Sequence, residues 1–154
     1  MTAQSAQAAQ FHALHTHFLI LPNAWDAVSA RAVRDAGAQA VATSSAAVPW
    51  AHGYADGHRL PNAKLVAAVE EIARAVDAPI TADAEGGYDD DSAKVAENVR
   101  ALIGAGAVGV NLEDGTQPHE LHLRKIEAAR EAAVRAGVDL FINARTDVYL
   151  KQLA

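Results

Sequence analysis

The chain has 154 residues, of which 51% are hydrophobic and 21% charged, and its formal net charge is −6. This composition is that of an ordinary globular domain. The acidic charge argues against a nucleic-acid or anionic-membrane partner, and the absence of cysteine excludes disulfides, thiolate metal ligands and a cysteine nucleophile. The sequence has neither a signal peptide nor an apolar run of the ~20 residues that span a membrane, which predicts a cytoplasmic protein.

Strand-like and helix-like segments alternate along the chain after an amino-terminal helix at about residues 3–16. Five short apolar runs are predicted strands, at residues 19–22, 40–44, 80–83, 109–112 and 140–143. Helical spacing of apolar residues and capping signals predict the intervening helices. These cover residues 24–36, 65–76, about 92–103 and about 119–136, with Asn23 as the cap of the first and Asp91 or Ser92 as the cap of the third.

Strict alternation of strands and helices predicts parallel strands, in either a doubly wound sheet or a (β/α)8 barrel. Polar residues follow nearly every predicted strand, whereas a doubly wound sheet concentrates its ligands at one switch point. The pattern therefore favours the barrel. Because a complete barrel has eight strands in about 250 residues, we expect one partial barrel domain over residues 1–154. Its barrel segment covers about residues 18–154 and contains about the first five β/α units.

Carboxylates accumulate after two neighbouring strands. Asp83 and Glu85 are two positions apart, so an extended chain would point both to the same side, and Glu113 and Asp114 end the next strand. Such a cluster is unfavourable unless the acids are protonated or a cation neutralises them. Oxygen ligands suit Mg²⁺. The alternative, which the residues alone leave open, is that these acids cap helices and are solvated.

Arg145 ends the fifth predicted strand. Its guanidinium could bind carboxylate or phosphonate oxygens at the mouth of the barrel. The alternative is a salt bridge to Asp147 or Glu113, and both arrangements could hold at once.

Hydroxyl groups and a long loop follow the second predicted strand. Ser44 and Ser45 could hold a substrate carboxylate, and the loop over about residues 45–61 could act as a lid that carries Asp56. The alternative for Asp56 is a solvated turn aspartate before glycine. His119 and His122 have no further nitrogen or sulfur ligand nearby in the sequence, and we expect both at the surface.

Six segments occur together in a fixed order, at residues 21–26, 43–46, 53–57, 83–88, 109–114 and 143–147. Together they resemble the isocitrate lyase / phosphoenolpyruvate mutase superfamily, particularly its mutase-like branch, over about residues 11–150. The resemblance implies a barrel and a bound Mg²⁺, with Mn²⁺ as a substitute. It also implies cleavage or formation of a C–C or P–C bond in a small carboxylate or phosphonate, through a pyruvate enolate-like intermediate.

The resemblance also implies roles for individual residues. Asp83 matches the direct Mg²⁺ ligand, and Glu85 and Glu113 match the residues that hold the ion through water. Asp56 matches the aspartate of the gating loop.

Three further positions match substrate-binding residues of the superfamily. Ser44 and Ser45 resemble the contacts to the substrate carboxylate, and Arg145 resembles the arginine that binds the anionic end of the substrate. With Asp56, Arg145 is expected to serve catalysis.

One segment departs from the superfamily pattern. The lyases carry a Lys-Lys/Arg-Cys-Gly-His motif, but here Glu113-Asp114 is followed by residues 115–118, Gly-Thr-Gln-Pro. The cysteine-dependent lyase mechanism is therefore not available. The enzyme could be phosphoenolpyruvate mutase-like, carboxyvinyl-carboxyphosphonate phosphorylmutase-like or oxaloacetate decarboxylase-like.

An alternative function from another class is a catalytically incomplete barrel fragment that serves binding or oligomerisation. A five-stranded segment leaves open edges, and subunits of the superfamily pair with one another. We therefore expect a homo-oligomer, with little turnover by the 154-residue chain alone.

Overall fold

The computed structural model describes residues 2–152, so residues 153 and 154 of the predicted barrel segment lie outside the described part. Its helices are α1 (Ala3–Leu14), α2 (Ala27–Asp35), α3 (Ala47–Ala51), α4 (Asn62–Ala75), α5 (Ser92–Gly104) and α6 (His119–Ala136). Its strands are β1 (Val41–Ala42), β2 (Ile80–Asp83), β3 (Gly109–Glu113) and β4 (Phe141–Arg145). Over this range, none of the helices combines the length and apolar character needed to cross a membrane.

The four strands form one parallel sheet in the order β1-β2-β3-β4. Strands that follow one another in the chain are neighbours in the sheet, whereas a doubly wound sheet reverses its order at a switch point. The carboxyl ends are in register, with Asp83 beside Asn111 and Glu113 beside Arg145. The predicted fold class, a partial (β/α)8 barrel, is confirmed.

The first of the five predicted strands is not formed as a strand. The segment at residues 19–22 leads into a single parallel bridge between Asn23 and Ala42. Ala24 N–H donates to the Ala42 carbonyl, and Ala42 N–H donates to the Pro22 carbonyl. Because Pro22 has no amide hydrogen, it cannot extend the ladder as a donor. The segment therefore lies alongside β1 with too few hydrogen bonds to count as a strand.

The predicted cap of the second helix is also wrong. Asn23 takes part in the bridge, and α2 begins at Ala27 with Asp26 as its cap. The Asp26 carboxylate accepts the Ser29 N–H at 2.7 Å, and the Ser29 hydroxyl accepts the Asp26 N–H at 3.1 Å. This reciprocal capping box satisfies two amides that an uncapped helix would leave unpaired.

The other helices lie close to their predicted positions. α6 has the predicted bounds and ends at Gly137, which adopts the left-handed conformation with φ of 69°. Asp91 caps α5. The predicted long loop contains the short helix α3, and the amino-terminal helix ends at Leu14.

The amino-terminal helix α1 covers the amino ends of the strands. Phe11 is 1% exposed, and its ring packs edge-on against Phe141, with 5.3 Å between centroids. Gly109 leaves room for it, because an added Cβ there would lie 2.7 Å from Phe11 Cε1. Helix α1 thus covers the amino ends of the strands, and the polar loops that follow the strands lie at the opposite, carboxyl ends.

Candidate active site

A polar cavity of about 780 Å³ lies at the carboxyl ends of the strands. Five of the seven predicted site residues line it: Ser45, Asp56, Glu85, Glu113 and Arg145. Asp83 reaches the cavity wall through its hydrogen bond to Ser45. The loops after β1, β2, β3 and β4 therefore all contribute to one site, as the alternation of strands and helices predicts.

Asp83 joins the ends of β1 and β2. It is the last residue of β2 and is 7% exposed. Its carboxylate accepts the Ser45 N–H at 3.1 Å and the Glu85 N–H at 3.2 Å, while its own N–H donates to the Thr43 hydroxyl at 2.9 Å. Backbone donors thus hold this carboxylate in place.

Glu85 is a buried carboxylate, 2% exposed, with partners from two loops. One oxygen accepts the His58 N–H at 2.5 Å, and His58 Nδ1 lies 3.2 Å from the same oxygen. The Tyr88 hydroxyl donates to the other oxygen at 3.1 Å. Burial, followed by the negative charge of Glu85, raises the pKa of Tyr88, so this hydroxyl remains a donor across the physiological range.

The turn that carries Glu85 has an unusual backbone. Glu85, Gly87 and Tyr88 have φ values of 49°, 89° and 64°. A left-handed conformation is unfavourable for a residue other than glycine and persists where the surroundings enforce it, often at functional sites. Since the chain leaves the extended conformation at Glu85, simple strand alternation with Asp83 does not set the direction of this side chain.

Arg145 forms both of the salt bridges considered as alternatives for it. Its guanidinium pairs with the Glu113 carboxylate, its neighbour across β3 and β4, and its Nε lies 3.0 Å from Asp147 Oδ1. The Arg145 side chain is 40% exposed and lines the cavity, whereas Asp147 is buried. The two carboxylates therefore hold the guanidinium in one orientation at the wall of the cavity.

Asp114 joins the loops that follow β3 and β4. It accepts the Thr146 hydroxyl at 2.7 Å and the Asp147 N–H at 2.8 Å. Partial burial raises the pKa of Asp114, but these two hydrogen bonds and the nearby His122 lower it by more, so its net pKa lies below the ordinary value. Since Arg145 directly precedes Thr146 and Asp147, these two hydrogen bonds to Asp114 help to fix the position of Arg145.

Two predicted residues have local partners. The Ser44 hydroxyl accepts the N–H groups of Ala46 and Ala47 at 3.2 and 3.3 Å, at the start of α3. Asp56 is exposed at the cavity, and its carboxylate accepts the Gly57 N–H at 2.7 Å. The solvated turn considered for Asp56 is thus present in this conformation.

The three predicted metal ligands lie around one cavity but do not form a preassembled cluster. Among residues 2–152, no group of three or more histidine, aspartate or glutamate side chains is arranged to hold a metal ion. Asp83, Glu85 and Glu113 each bind protein donors instead. The donor set nevertheless fits a hard cation, because all three offer carboxylate oxygens and Mg²⁺ needs only one or two of them beside its waters.

Two buried polar residues on α6 were missed by the sequence analysis. Lys125 is 1% exposed, and the predicted surface residue His122 is only 9% exposed, whereas His119 is exposed. Burial lowers the pKa of His122, the charge of Asp114 opposes this, and Lys125 adds to the lowering. The helical spacing of positions 122, 125, 129 and 132 indicates that His122 and Lys125 share one face of α6 with two alanines, and this face is buried throughout.

Comparisons with known proteins agree with this architecture. A relative in Arabidopsis thaliana, the chloroplastic carboxyvinyl-carboxyphosphonate phosphorylmutase, is 33% identical over 156 residues, which cover 90% of this chain and 45% of the relative. A provisionally named phosphonomutase from Burkholderia cenocepacia J2315 is 48% identical, with a TM-score of 0.89, over 94% of this chain and 62% of its own.

A third comparison concerns a solved complex. The structure of a phosphonopyruvate hydrolase with oxalate and Mg²⁺ is 26% identical, with a TM-score of 0.85, over 100% of this chain and 56% of its own. The chain spans about half the length of the curated relatives that it matches. The family model described as phosphoenolpyruvate phosphomutase matches residues 11–154. The chain therefore belongs to the phosphoenolpyruvate phosphomutase family, which confirms the resemblance drawn from its six segments.

Proposed function

We propose that the protein containing this chain is a Mg²⁺-dependent enzyme that cleaves or rearranges a C–C or P–C bond of a small α-keto or 2-hydroxy acid. The reaction would pass through a pyruvate enolate-like intermediate. One observation carries the proposal: Glu85, Glu113 and the Arg145 guanidinium line the same cavity at the carboxyl ends of the strands. Such chemistry needs acidic groups that bind a metal cation and a positively charged group that binds the acidic substrate.

The residues divide into metal and substrate functions. Asp83 would bind Mg²⁺ directly, and Glu85 and Glu113 would hold it through waters. When bound, the ion supplies Lewis-acid stabilisation of the negative charge that develops on the enolate oxygen. Mn²⁺ should substitute, because it accepts the same oxygen ligands.

The substrate residues act around this centre. Ser44 and Ser45 would contact the substrate carboxylate, and Arg145 would bind its anionic end. Asp56 would close over the cavity with its loop and exclude water from the intermediate. The related phosphonopyruvate hydrolase structure holds oxalate and Mg²⁺, which supports Mg²⁺ and a small carboxylate as the ligands proposed for this cavity.

Titration of the full-length protein with Mg²⁺ and oxalate, an analogue of pyruvate enolate, tests the metal assignment. Asp83→Asn keeps the shape of the side chain and removes its charge, so we expect Mg²⁺ affinity to fall by at least about tenfold. Asp35→Asn is the matched control, because Asp35 is an exposed residue of α2 paired with Arg31. Unchanged affinity in Asp83→Asn would remove the assignment.

A substrate panel tests the reaction class. Pyruvate release should be measured with oxaloacetate, phosphonopyruvate, 2-methylisocitrate and dimethylmalate. We expect release from at least one of them in the presence of Mg²⁺. Silence across the panel with intact metal binding would favour the binding or oligomerisation module over the enzyme.

A further inference from the structure

Lys125 is a buried cation on α6 whose donors are all engaged. Its side chain is 2% exposed, and Nζ lies 2.9 Å from the Gly86 carbonyl, 2.9 Å from Gln117 Oε1 and 3.2 Å from Asp90 Oδ1. An ammonium group has three hydrogens, so these bonds use them all. A buried lysine requires such partners to offset the loss of its hydration. Lys125 is therefore arranged to hold protein groups rather than a ligand.

The three partners come from the two loops that carry the acidic residues. Gly86 directly follows Glu85, and Asp90 belongs to the same loop, after β2. Gln117 belongs to the loop after β3, four residues beyond Glu113. The Gln117 amide also donates to Asp90 at 2.6 Å, which closes a triangle with the ammonium.

Gly86 is held from both sides. Its carbonyl accepts from Lys125, and its N–H donates to His58 Nε2 at 2.9 Å. The neighbouring residues Glu85 and Tyr88 have positive φ values of 49° and 64°. Since such conformations persist only where the surroundings enforce them, the contact with Lys125 helps to maintain the backbone that directs the Glu85 carboxylate.

We propose that Lys125 is a positioning residue of the metal site: it ties the Glu85-Gly86 turn to the loop that follows Glu113 and so sets the placement of the two water-mediated Mg²⁺ ligands. This inference rests on the proposed function. Groups that orient metal ligands through hydrogen bonds typically change metal affinity by about 10–100-fold when they are removed.

Lys125→Met tests the proposal, because it keeps the length of the side chain and removes its charge and donors. We expect Mg²⁺ affinity, measured by calorimetry on the full-length protein, to fall at least about tenfold, with partial recovery in Lys125→Arg. Lys94→Met is the matched control, since Lys94 pairs with Asp89 of the same loop at 3.3 Å but its side chain is 62% exposed. Wild-type affinity in a folded Lys125→Met protein would overturn the proposal.

A second variant applies if Lys125→Met does not fold. Gln117→Leu removes one partner from the triangle and leaves the buried cation paired with Gly86 and Asp90. We expect a several-fold loss of Mg²⁺ affinity, and unchanged affinity in this variant would overturn the proposal.

Amide hydrogen exchange separates this inference from the proposed function. Exchange at residues 85–88 should accelerate in Lys125→Met even without metal, while Lys94→Met leaves it unchanged. If the wild-type protein binds no Mg²⁺, the proposed function fails and the metal-site role fails with it, whereas accelerated exchange would still establish that Lys125 holds the turn. If the wild type binds Mg²⁺ but exchange at residues 85–88 is unaffected by Lys125→Met, the positioning role alone fails.

Discussion

At the scale of single residues, the Tyr88 hydroxyl and the Glu85 carboxylate form the pair whose loss is easiest to measure. The hydroxyl donates to a carboxylate that is 2% exposed. A hydrogen bond to a charged group contributes about 1.5–3 kcal/mol, and removal of the donor leaves part of a buried charge unsatisfied. Glu85 keeps its other contacts, with His58.

We therefore expect Tyr88→Phe to lower the free energy of unfolding at pH 7 by about 1–2 kcal/mol, measured by urea denaturation. Tyr149→Phe is the control, because Tyr149 is 84% exposed, and its effect should be close to zero. Equal effects of the two substitutions would contradict the role of the Tyr88 hydroxyl.

The pH dependence of stability follows from the direction of the Tyr88 pKa shift. Burial and the Glu85 charge raise the pKa of Tyr88 in the folded state above its ordinary value of 10.0. Above this pH the unfolded state has lost the tyrosine proton and the folded state retains it, so stability falls as pH rises. The contribution of the protonated Tyr88 hydroxyl to the free energy of unfolding is fully present below pH 10. Urea denaturation from pH 8 to 11 should show a steeper decline in the wild type than in Tyr88→Phe.

At the scale of elements, His58 connects the loop that carries Asp56 to the turn after β2. Because Nε2 accepts the Gly86 N–H at 2.9 Å, the hydrogen of a neutral ring is on Nδ1, which faces Glu85 at 3.2 Å. His58 itself has a φ of 59°. The ring thus joins the predicted lid to the acidic residues.

We expect His58→Ala to loosen this loop without unfolding the barrel. Amide exchange at residues 53–60 should accelerate several-fold, and the exposed His52→Ala should serve as the control. Exchange that is unchanged in His58→Ala would show that the ring does not hold the loop.

The packing of α1 supports the site from the opposite end of the strands. Phe11 is buried against Phe141 and Gly109, whereas Phe18, shortly after the same helix, is 92% exposed. Truncation of a buried phenylalanine to alanine destabilises by about 3–5 kcal/mol. We expect Phe11→Ala to lower the free energy of unfolding by this amount and Phe18→Ala to leave it nearly unchanged. A small effect of Phe11→Ala would mean that α1 contributes little to the fold.

At the scale of the whole molecule, the sheet has an open edge. Within residues 2–152, β4 pairs only with β3, and β1 has β2 and the bridge at Asn23. Large apolar side chains are exposed in and next to the segment at residues 19–22, where Phe18 is 92% exposed and Ile20 is 74% exposed. Unpaired strand edges and exposed apolar patches promote association.

We therefore expect the 154-residue chain to self-associate and to show little turnover. Size-exclusion chromatography combined with the pyruvate assay measures both. Phe18→Ser with Ile20→Ser should shift the chain toward the monomer, and Leu123→Ser, which changes an exposed residue of α6, is the control. A stable, active monomer would contradict this prediction.

Local signals in the sequence determined the order of the elements and placed most of their bounds within a few residues of the observed ones. The bounds of α6 and its end at Gly137 were predictable because a left-handed glycine stop is encoded within a few residues. The Asp91 cap of α5 and the bounds of β2 were also predictable, because each is encoded in a short stretch of sequence. The parallel arrangement follows from alternation, and the gathering of polar residues at the carboxyl ends follows from that arrangement. Ordered motifs were sufficient to identify the family.

Tertiary structure alone decided how the side chains of the site are paired. Glu113 pairs with Arg145, because the register of β3 and β4 places these two residues side by side. Lys125 meets its farthest partner, Gly86, across 39 residues of sequence. Such contacts depend on which loops approach one another after the strands align. Spacing along a helix showed the buried face that carries Lys125, but only the packed loops supplied the carbonyl and side-chain oxygens that allow its charge to be buried.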